Sequence, residues 1–272
     1  MPMIELNGVE IAYQDTGPHG AQAILLAHSL FFDHRMFEHQ VERFSEHYRV
    51  IAYDQRSHGF TSNPKNAEYG MDALTEDAAE LIKSLELGPV HMVGNSMGGF
   101  VALRLGARYP ELVRSVTTVG SSADKEHNTE QYRPLVQALK DHGTGAVMDQ
   151  LMYTMFGDTT LAAESQAPLR STWRSRMGAL PHEIGAAAEA VVERQSVIDE
   201  LHLIKTPVLA IAGEEDHAYG IDLSEQIAAG AADGRCVVIK AAGHSASLEA
   251  PEPVNEALAE HFKRAEAAIQ PG

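Results

Sequence analysis

Val93-Gly94-Asn95-Ser96-Met97-Gly98-Gly99 is the stretch whose reading decides the fold. An apolar run over 90–93 leads into it, and a helical pattern over 97–109 leads out. The match is G-x-S-x-G between a strand and a helix, which is the context the motif requires. A chance glycine-rich turn would satisfy the bare pattern but would lack those flanks. A serine on so sharp a turn sits in a strained backbone conformation, so the residues two places before and after it must lack bulk. Gly94 and Gly98 meet that condition. The turn pushes Ser96 Oγ out at the carboxyl end of a sheet. The helix beginning at Met97 aims its N-terminal amides and positive dipole end at the same spot.

Outward from this turn the chain alternates. Apolar runs at 4–6, 9–13, 23–27, 50–53, 90–93, 113–119, 208–212 and 236–239 are bounded by turn residues. Continuous rather than alternating runs predict strands covered on both faces. Helical patterns fall at 35–44, 71–87, 97–109, 223–229 and 253–267. The rhythm predicts an α/β fold, with a mostly parallel eight-stranded sheet and helices on both faces. Gly88-Pro89 and Pro110 are stops after two of the helices. From 121 to 203 no strand-like run occurs, and breaks at Gly143-Thr144-Gly145, Gly157-Asp158 and Leu180-Pro181 divide the segment into helices. The reading is a core domain of 1–120 and 204–272, with 121–203 a helical cap inserted between the sixth and seventh strands. No internal repeat is visible, and the tail after Ala267 is expected to fray.

A serine hydroxyl is a weak nucleophile and needs a base. Around this type of turn the chain order is serine, acid, histidine. Ala242-Gly243-His244 follows the last strand, and Gly243 is expected to let that loop turn tightly. Among 14 histidines, His244 is the one for which strand end, glycine and order agree. The acid must orient that imidazole. The strand at 208–212 ends in Gly213-Glu214-Glu215-Asp216; loop geometry favours Asp216, with Glu214 and Glu215 as alternatives. An oxyanion needs two backbone donors. The Met97 N–H is one. The Leu30 N–H, from the loop His28-Ser29-Leu30-Phe31-Phe32, is the other.

His28-Ser29, the stretch from Asp54 to Ser62, the turn at Ser96, the Gly213–Asp216 loop and Ala242-Gly243-His244 together resemble the α/β-hydrolase superfamily, over essentially the whole chain. The nearest resemblance is to 3-oxoadipate enol-lactonase-like serine hydrolases, which share a small helical cap and an uncharged Ser-Leu pair like Ser29-Leu30. The resemblance implies cleavage of a small-molecule ester or lactone through an acyl-enzyme on Ser96, without metal or organic cofactor. Two departures weaken any named substrate: His28-Ser29 stands for His-Gly, and Arg56-Ser57-His58-Gly59 for Arg-Gly-His-Gly. The Ser29 side chain is expected to narrow the oxyanion loop or add a hydroxyl to it. Asp54, Arg56 and His58 read as braces beneath the site. The scaffold also resembles carbon–carbon bond hydrolases and cofactor-free oxygenases, the latter through Asp33-His34-Arg35, and ligand receptors that retain a triad.

Specificity should come from the cap and the oxyanion loop. Phe31, Phe32, Met152, Phe156 and Trp173 are the substrate-binding candidates; Met148, Met155 and Met177 extend the same helical spacing. The competing reading is that this stripe only packs the cap onto the sheet. Cationic handles are offered by Arg35, Arg133, Arg170, Arg174 and Arg176, and sequence does not choose among them.

The bulk numbers bound the partners. A formal charge of −17 disfavours nucleic acid and anionic lipid. The single cysteine, Cys236, permits no intrachain disulfide and is expected to be a buried thiol on its strand. This usage fits a cytoplasmic protein. The first residues, Met1 to Leu6, are not expected to act as a signal peptide, and no membrane-length apolar run, His-Glu-x-x-His or P-loop is read in the sequence. A homo-oligomer is compatible with all of this.

Overall fold

The computed structural model describes residues 1–61 and 69–268. Ser62, at the end of the stretch that begins at Asp54, and the tail from 269 onward lie outside them. The strands are β1 (Met3–Leu6), β2 (Val9–Thr16), β3 (Ala23–Ala27), β4 (Arg49–Tyr53), β5 (Val90–Asn95), β6 (Val113–Val119), β7 (Val208–Gly213) and β8 (Gly234–Ile239). They form one sheet in the order β1-β2-β4-β3-β5-β6-β7-β8. β2 pairs antiparallel with β1 and β4; the other pairings are parallel. This is the mostly parallel sheet that the apolar runs predict.

The helices are α1 (Glu38–Phe44), α2 (Met71–Ser84), α3 (Met97–Arg108), α4 (Thr129–His142), α5 (Met148–Met155), α6 (Asp158–Ala162), α7 (Ala167–Gly178), α8 (Ile184–Val192), α9 (Ile221–Gly230), α10 (Ala246–Glu249) and α11 (Pro251–Ala267). α3 lies on β5 and β6 with α2 beside it, and α9 lies on β7 and β8. α11 packs against β6, β8 and α1. Every residue of β3, β4, β5 and β7 is buried, which is why those runs are largely apolar; the exceptions, Arg49, His91 and Asn95, are paired by hydrogen bonds. β8 departs from that rule because it is the sheet edge. Val238 there is 40% exposed, and Cys236 is half-buried rather than buried. Among the described residues no helix is long and apolar enough to cross a membrane.

Helices α4 to α8 fall between β6 and β7. α4 packs on α8, and α5 on α7. Trp173 of α7 is 1% exposed. Its ring centre stands 4.7 Å from that of Phe32, in the loop after β3, and Phe156 closes on Phe32 at 6.1 Å. This aromatic cluster fastens the insertion to the sheet domain.

Two stability predictions follow from this burial. Trp173→Ala should lower the free energy of unfolding by about 3–5 kcal/mol, measured by denaturant titration; a loss below about 1 kcal/mol would contradict the anchoring role. The second concerns acid. Burial pushes the imidazoles of His58 and His91 down to about 3, and that of His261 to about 4, from the ordinary 6.5. The folded protein keeps these rings neutral, while the unfolded chain takes up protons below about 6.5. Stability is therefore full above that value and is lost as pH falls. The melting temperature should drop by roughly 5 °C or more between pH 7 and pH 5, and a flat profile there would refute the assignment.

Candidate active site

β5 ends and α3 begins at Ser96, whose backbone sits at φ 50°, ψ −109°. The Ser96 N–H donates to Val119 O of β6 at 2.8 Å, and Ser121 Oγ donates to Ser96 O at 3.0 Å. A Cβ on Gly94 would stand 2.0 Å from Gly98 O, and one on Gly98 would stand 1.9 Å from Ala27 O. The two glycines are required by close backbone approach rather than by unusual dihedrals of their own.

His244 follows β8, and its Nδ1 lies 3.0 and 3.1 Å from the two carboxylate oxygens of Asp216. Asp216 Oδ1 also accepts the N–H groups of Ala218 and Tyr219 at 2.8 and 2.9 Å. Both side chains are shielded from solvent, at 1% and 0% exposure. The neighbouring carboxylates point elsewhere. Glu214 accepts the Ala241 N–H at 3.2 Å, and Glu215 takes the Thr159 N–H and hydroxyl at 2.7 and 2.6 Å. A carboxylate on Nδ1 holds the proton there and leaves Nε2 as the basic nitrogen. Ser96 and His244 line the same cavity, although no hydrogen bond joins their side chains in this structure. Such contacts commonly tighten only with substrate in place.

The turn expected at Gly243 has a different cause. Its φ is not left-handed; a Cβ there would stand 2.1 Å from Gly157 N, so the missing side chain lets the insertion approach the histidine loop. Sequence reasoning missed the residue that fixes this contact. Glu249 of α10 accepts the N–H groups of Gly243 and Ser245 at 3.1 and 3.0 Å and that of Gly157 at 2.8 Å. One carboxylate thus brackets His244 on both sides and ties the loop to the insertion. Burial pushes its pKa above the ordinary carboxylate range, against the hydrogen bonds that hold it down. Its one sequence signal is an acidic residue a turn of helix beyond His244. Asn95 adds a further tie, donating from Nδ2 to His244 O at 3.1 Å.

Neither the Leu30 nor the Met97 amide has an acceptor among the described residues, and Leu30 is part of the cavity wall. The adjoining amides are occupied: Phe31 N–H (φ 72°) donates to His58 Nε2 at 3.3 Å, and Phe32 N–H to Ser29 O at 3.2 Å. His58 Nδ1 in turn donates to Arg56 O at 2.8 Å, and the Arg56 guanidinium grips Asp77 at 2.6 and 2.8 Å. Asp54 accepts from the backbone and ring of His34 and from Phe60 N–H. These residues brace the loop after β3. Ser29 is fully buried, and its hydroxyl donates to Leu30 O at 3.4 Å. Asp33, His34 and Asp54 gather within 4.8 Å, a spacing compatible with metal ligation, but Arg35 already binds Asp33 and His34 already binds Asp54.

The cavity holds about 580 Å³ of space, including its open mouth. Leu30, Phe31, Ser96 and His244 form its floor, and Leu139 of α4, Met155 of α5 and Val191 of α8 belong to its walls. Of the five proposed substrate contacts, Phe31 alone lies on it. Phe32, Phe156 and Trp173 form the anchoring cluster, and Met152 borders a shallow surface groove beside Asp149. Periodicity found the buried face of α5 but not which of its side chains look into the cavity. None of the five arginines lines it either. Arg35 pairs with Asp33, Arg133 with Glu130 and Glu193, and Arg174 with Asp149. Arg170 binds backbone carbonyls, and Arg176 lies over Trp173.

A family model described as the alpha/beta hydrolase fold matches residues 22–251. The chain belongs to the α/β-hydrolase family. It is 29% identical over 252 residues to 3-oxoadipate enol-lactonase 1 of Acinetobacter baylyi, covering 90% of each chain. It is 26% identical over 239 residues to the (E)-2-((N-methylformamido)methylene)succinate hydrolase of the same species, covering 87% of this chain and 89% of that one. The enol-lactonase of Burkholderia xenovorans superposes with a TM-score of 0.90 at 27% identity, covering 96% of this chain and all of that structure.

In this α/β-hydrolase the Glu249 carboxylate should matter to both stability and turnover. Glu249→Gln places an NH₂ against backbone N–H donors. The expected outcome is about 2 kcal/mol less stability and roughly tenfold lower kcat, read by denaturant titration and steady-state kinetics. Unchanged values for both would remove Glu249 from the histidine loop's support.

Proposed function

We propose that the protein is a serine hydrolase that cleaves carboxylic esters or lactones bearing a small to medium apolar or aromatic group. The observation that carries this reading is the convergence of Ser96, the Asp216-bound His244 and Leu30, whose amide is unpaired, on one largely apolar cavity. The enol-lactonase relatives support it, and the segment 121–203 acts as a cap over the reacting groups.

The chemistry follows from the groups present. His244 Nε2 takes the Ser96 hydroxyl proton as Oγ bonds to the substrate carbonyl carbon. The carbonyl π electrons move onto oxygen, where the Leu30 and Met97 amides hold the charge. Asp216 stabilises the imidazolium and its orientation. As the tetrahedral intermediate collapses, the carbon–oxygen bond to the leaving group breaks and that oxygen takes the proton from His244. For a lactone, the leaving oxygen stays tethered to the acyl group. Water then gives a proton to His244 as its oxygen bonds to the acyl carbon; on collapse the carbon–Oγ bond breaks, Ser96 Oγ takes that proton back from His244, and the acid is released. These steps call on no metal or organic cofactor.

Incubation with p-nitrophenyl acetate, p-nitrophenyl butyrate and a small lactone panel, beside an aryl fluorophosphonate label, tests this reading. Wild-type protein should turn over and be labelled on Ser96, and Ser96→Ala should lose at least about a thousandfold in kcat and all labelling. Absence of both turnover and labelling in the wild type would sink the proposal.

A further inference from the structure

Most of the cavity wall is apolar, but one acidic residue forms part of it. Glu126 lies between β6 and α4 and is buried. Its Oε1 accepts the Asn128 N–H at 2.9 Å, while Oε2 stands 3.3 Å from Arg194 Nη1 and 3.4 Å from the Tyr219 hydroxyl. Arg194 is held outside the cavity wall. Its guanidinium stacks 4.3 Å over Phe100 and donates to Asp124 O and Val191 O. Among the described residues, no lysine or arginine lines the cavity. Tyr219 spans the gap to the reacting centre: its ring lies 5.6 Å from that of His244, and its hydroxyl reaches Glu126. Glu126 is thus set back from His244 by the length of one tyrosine side chain.

This placement sorts substrates by charge. A substrate carboxylate entering the cavity would lose its water, meet no cation and face a fixed carboxylate, each of which is unfavourable. An uncharged group meets apolar wall. A carboxylate offers about four acceptor sites, of which Asn128, Arg194 and Tyr219 use three, so a hydroxyl or amide N–H on the substrate finds an acceptor. We propose that Glu126 is a specificity-determining residue that restricts the site to esters and lactones whose acyl part is uncharged, and that accepts a hydroxyl or amide N–H but not a carboxylate at the acyl group's far end. The inference rests on the ester and lactone reading above.

The test is kcat/KM for the p-nitrophenyl esters of hexanoic acid and ω-hydroxyhexanoic acid and for the mono-p-nitrophenyl ester of adipic acid. The wild type should process the adipate ester at least about thirtyfold less efficiently than the hexanoate ester, and the hydroxy ester within about threefold of it. In Glu126→Gln the adipate-to-hexanoate ratio should rise about tenfold. If that variant leaves Arg194 unpaired and fails to fold, Glu126→Gln with Arg194→Met removes both halves of the buried pair and should raise the ratio similarly. Equal wild-type efficiency on the adipate and hexanoate esters overturns the proposal, as does an unmoved ratio in a folded variant. Failure to turn over any of the three esters, with no fluorophosphonate label on Ser96, removes the hydrolase reading and this one together; turnover without charge discrimination removes this one alone.

Discussion

At Ser96 a strand ends and a helix starts within one residue, and the surrounding fold depends on the contact that permits it. α3 can cross close over β3 and β5 because the backbones of Gly94, Gly98 and Ala27 meet where side chains would otherwise stand. The strained serine dihedral costs on the order of 1–3 kcal/mol. The hydrogen bonds at Val119 and Ser121 and the fully buried neighbouring strands offset it. The same contact brings the end of β3 under the start of α3, so the Leu30 and Met97 amides come from adjoining elements rather than from one flexible loop.

Three carboxylates shielded from solvent stand at increasing remove from His244, and the structure separates their tasks by their partners. Asp216 meets the ring nitrogen itself. Glu249 touches the backbone on either side of the ring, the Gly157 N–H after α5 and the Thr160 side chain, and so ties the loop to the insertion. Glu126 stands apart, reached through Tyr219 and balanced by Arg194. On the opposite side of the site, the loop after β3 rests on His28 and His58, whose rings lie 4.9 Å apart. Burial lowers the pKa of both; a charge on His28 would lower that of His58 further, and His34 acts in the same sense on His28. A neutral His58 can accept from Phe31 and donate to Arg56 at once. A protonated one could only donate.

How much was legible follows from what each feature rests on. All eight strands could be read because sheets covered on both faces demand unbroken apolar runs, and β8 misled only in burial because edge position leaves no mark in so short a run. The pattern around Ser96 and the loop positions of Asp216 and His244 could be singled out because local backbone demands are written locally. The cavity lining could not. Helical spacing marks Met152, Met155, Phe156 and Trp173 as facing inward, yet the direction that matters is set by where α5 and α7 dock, and Trp173 docks on Phe32. Glu126, Tyr219 and Glu249 are set by approaches between segments far apart in the chain, for which a single sequence holds no period.

The cavity joins two kinds of wall. Its floor is made where backbones touch with no space to spare, so nearly any added atom there disturbs the reacting groups. Its upper wall comes from α4, α5 and α8, where Leu139, Met155 and Val191 present side chains whose size can change without moving Ser96, Asp216 or His244. Room for change in this molecule is therefore unevenly distributed: Ser96, Asp216 and His244 sit in a part that tolerates little variation, while the shape of the cavity is set in a part that mutation can revise one side chain at a time.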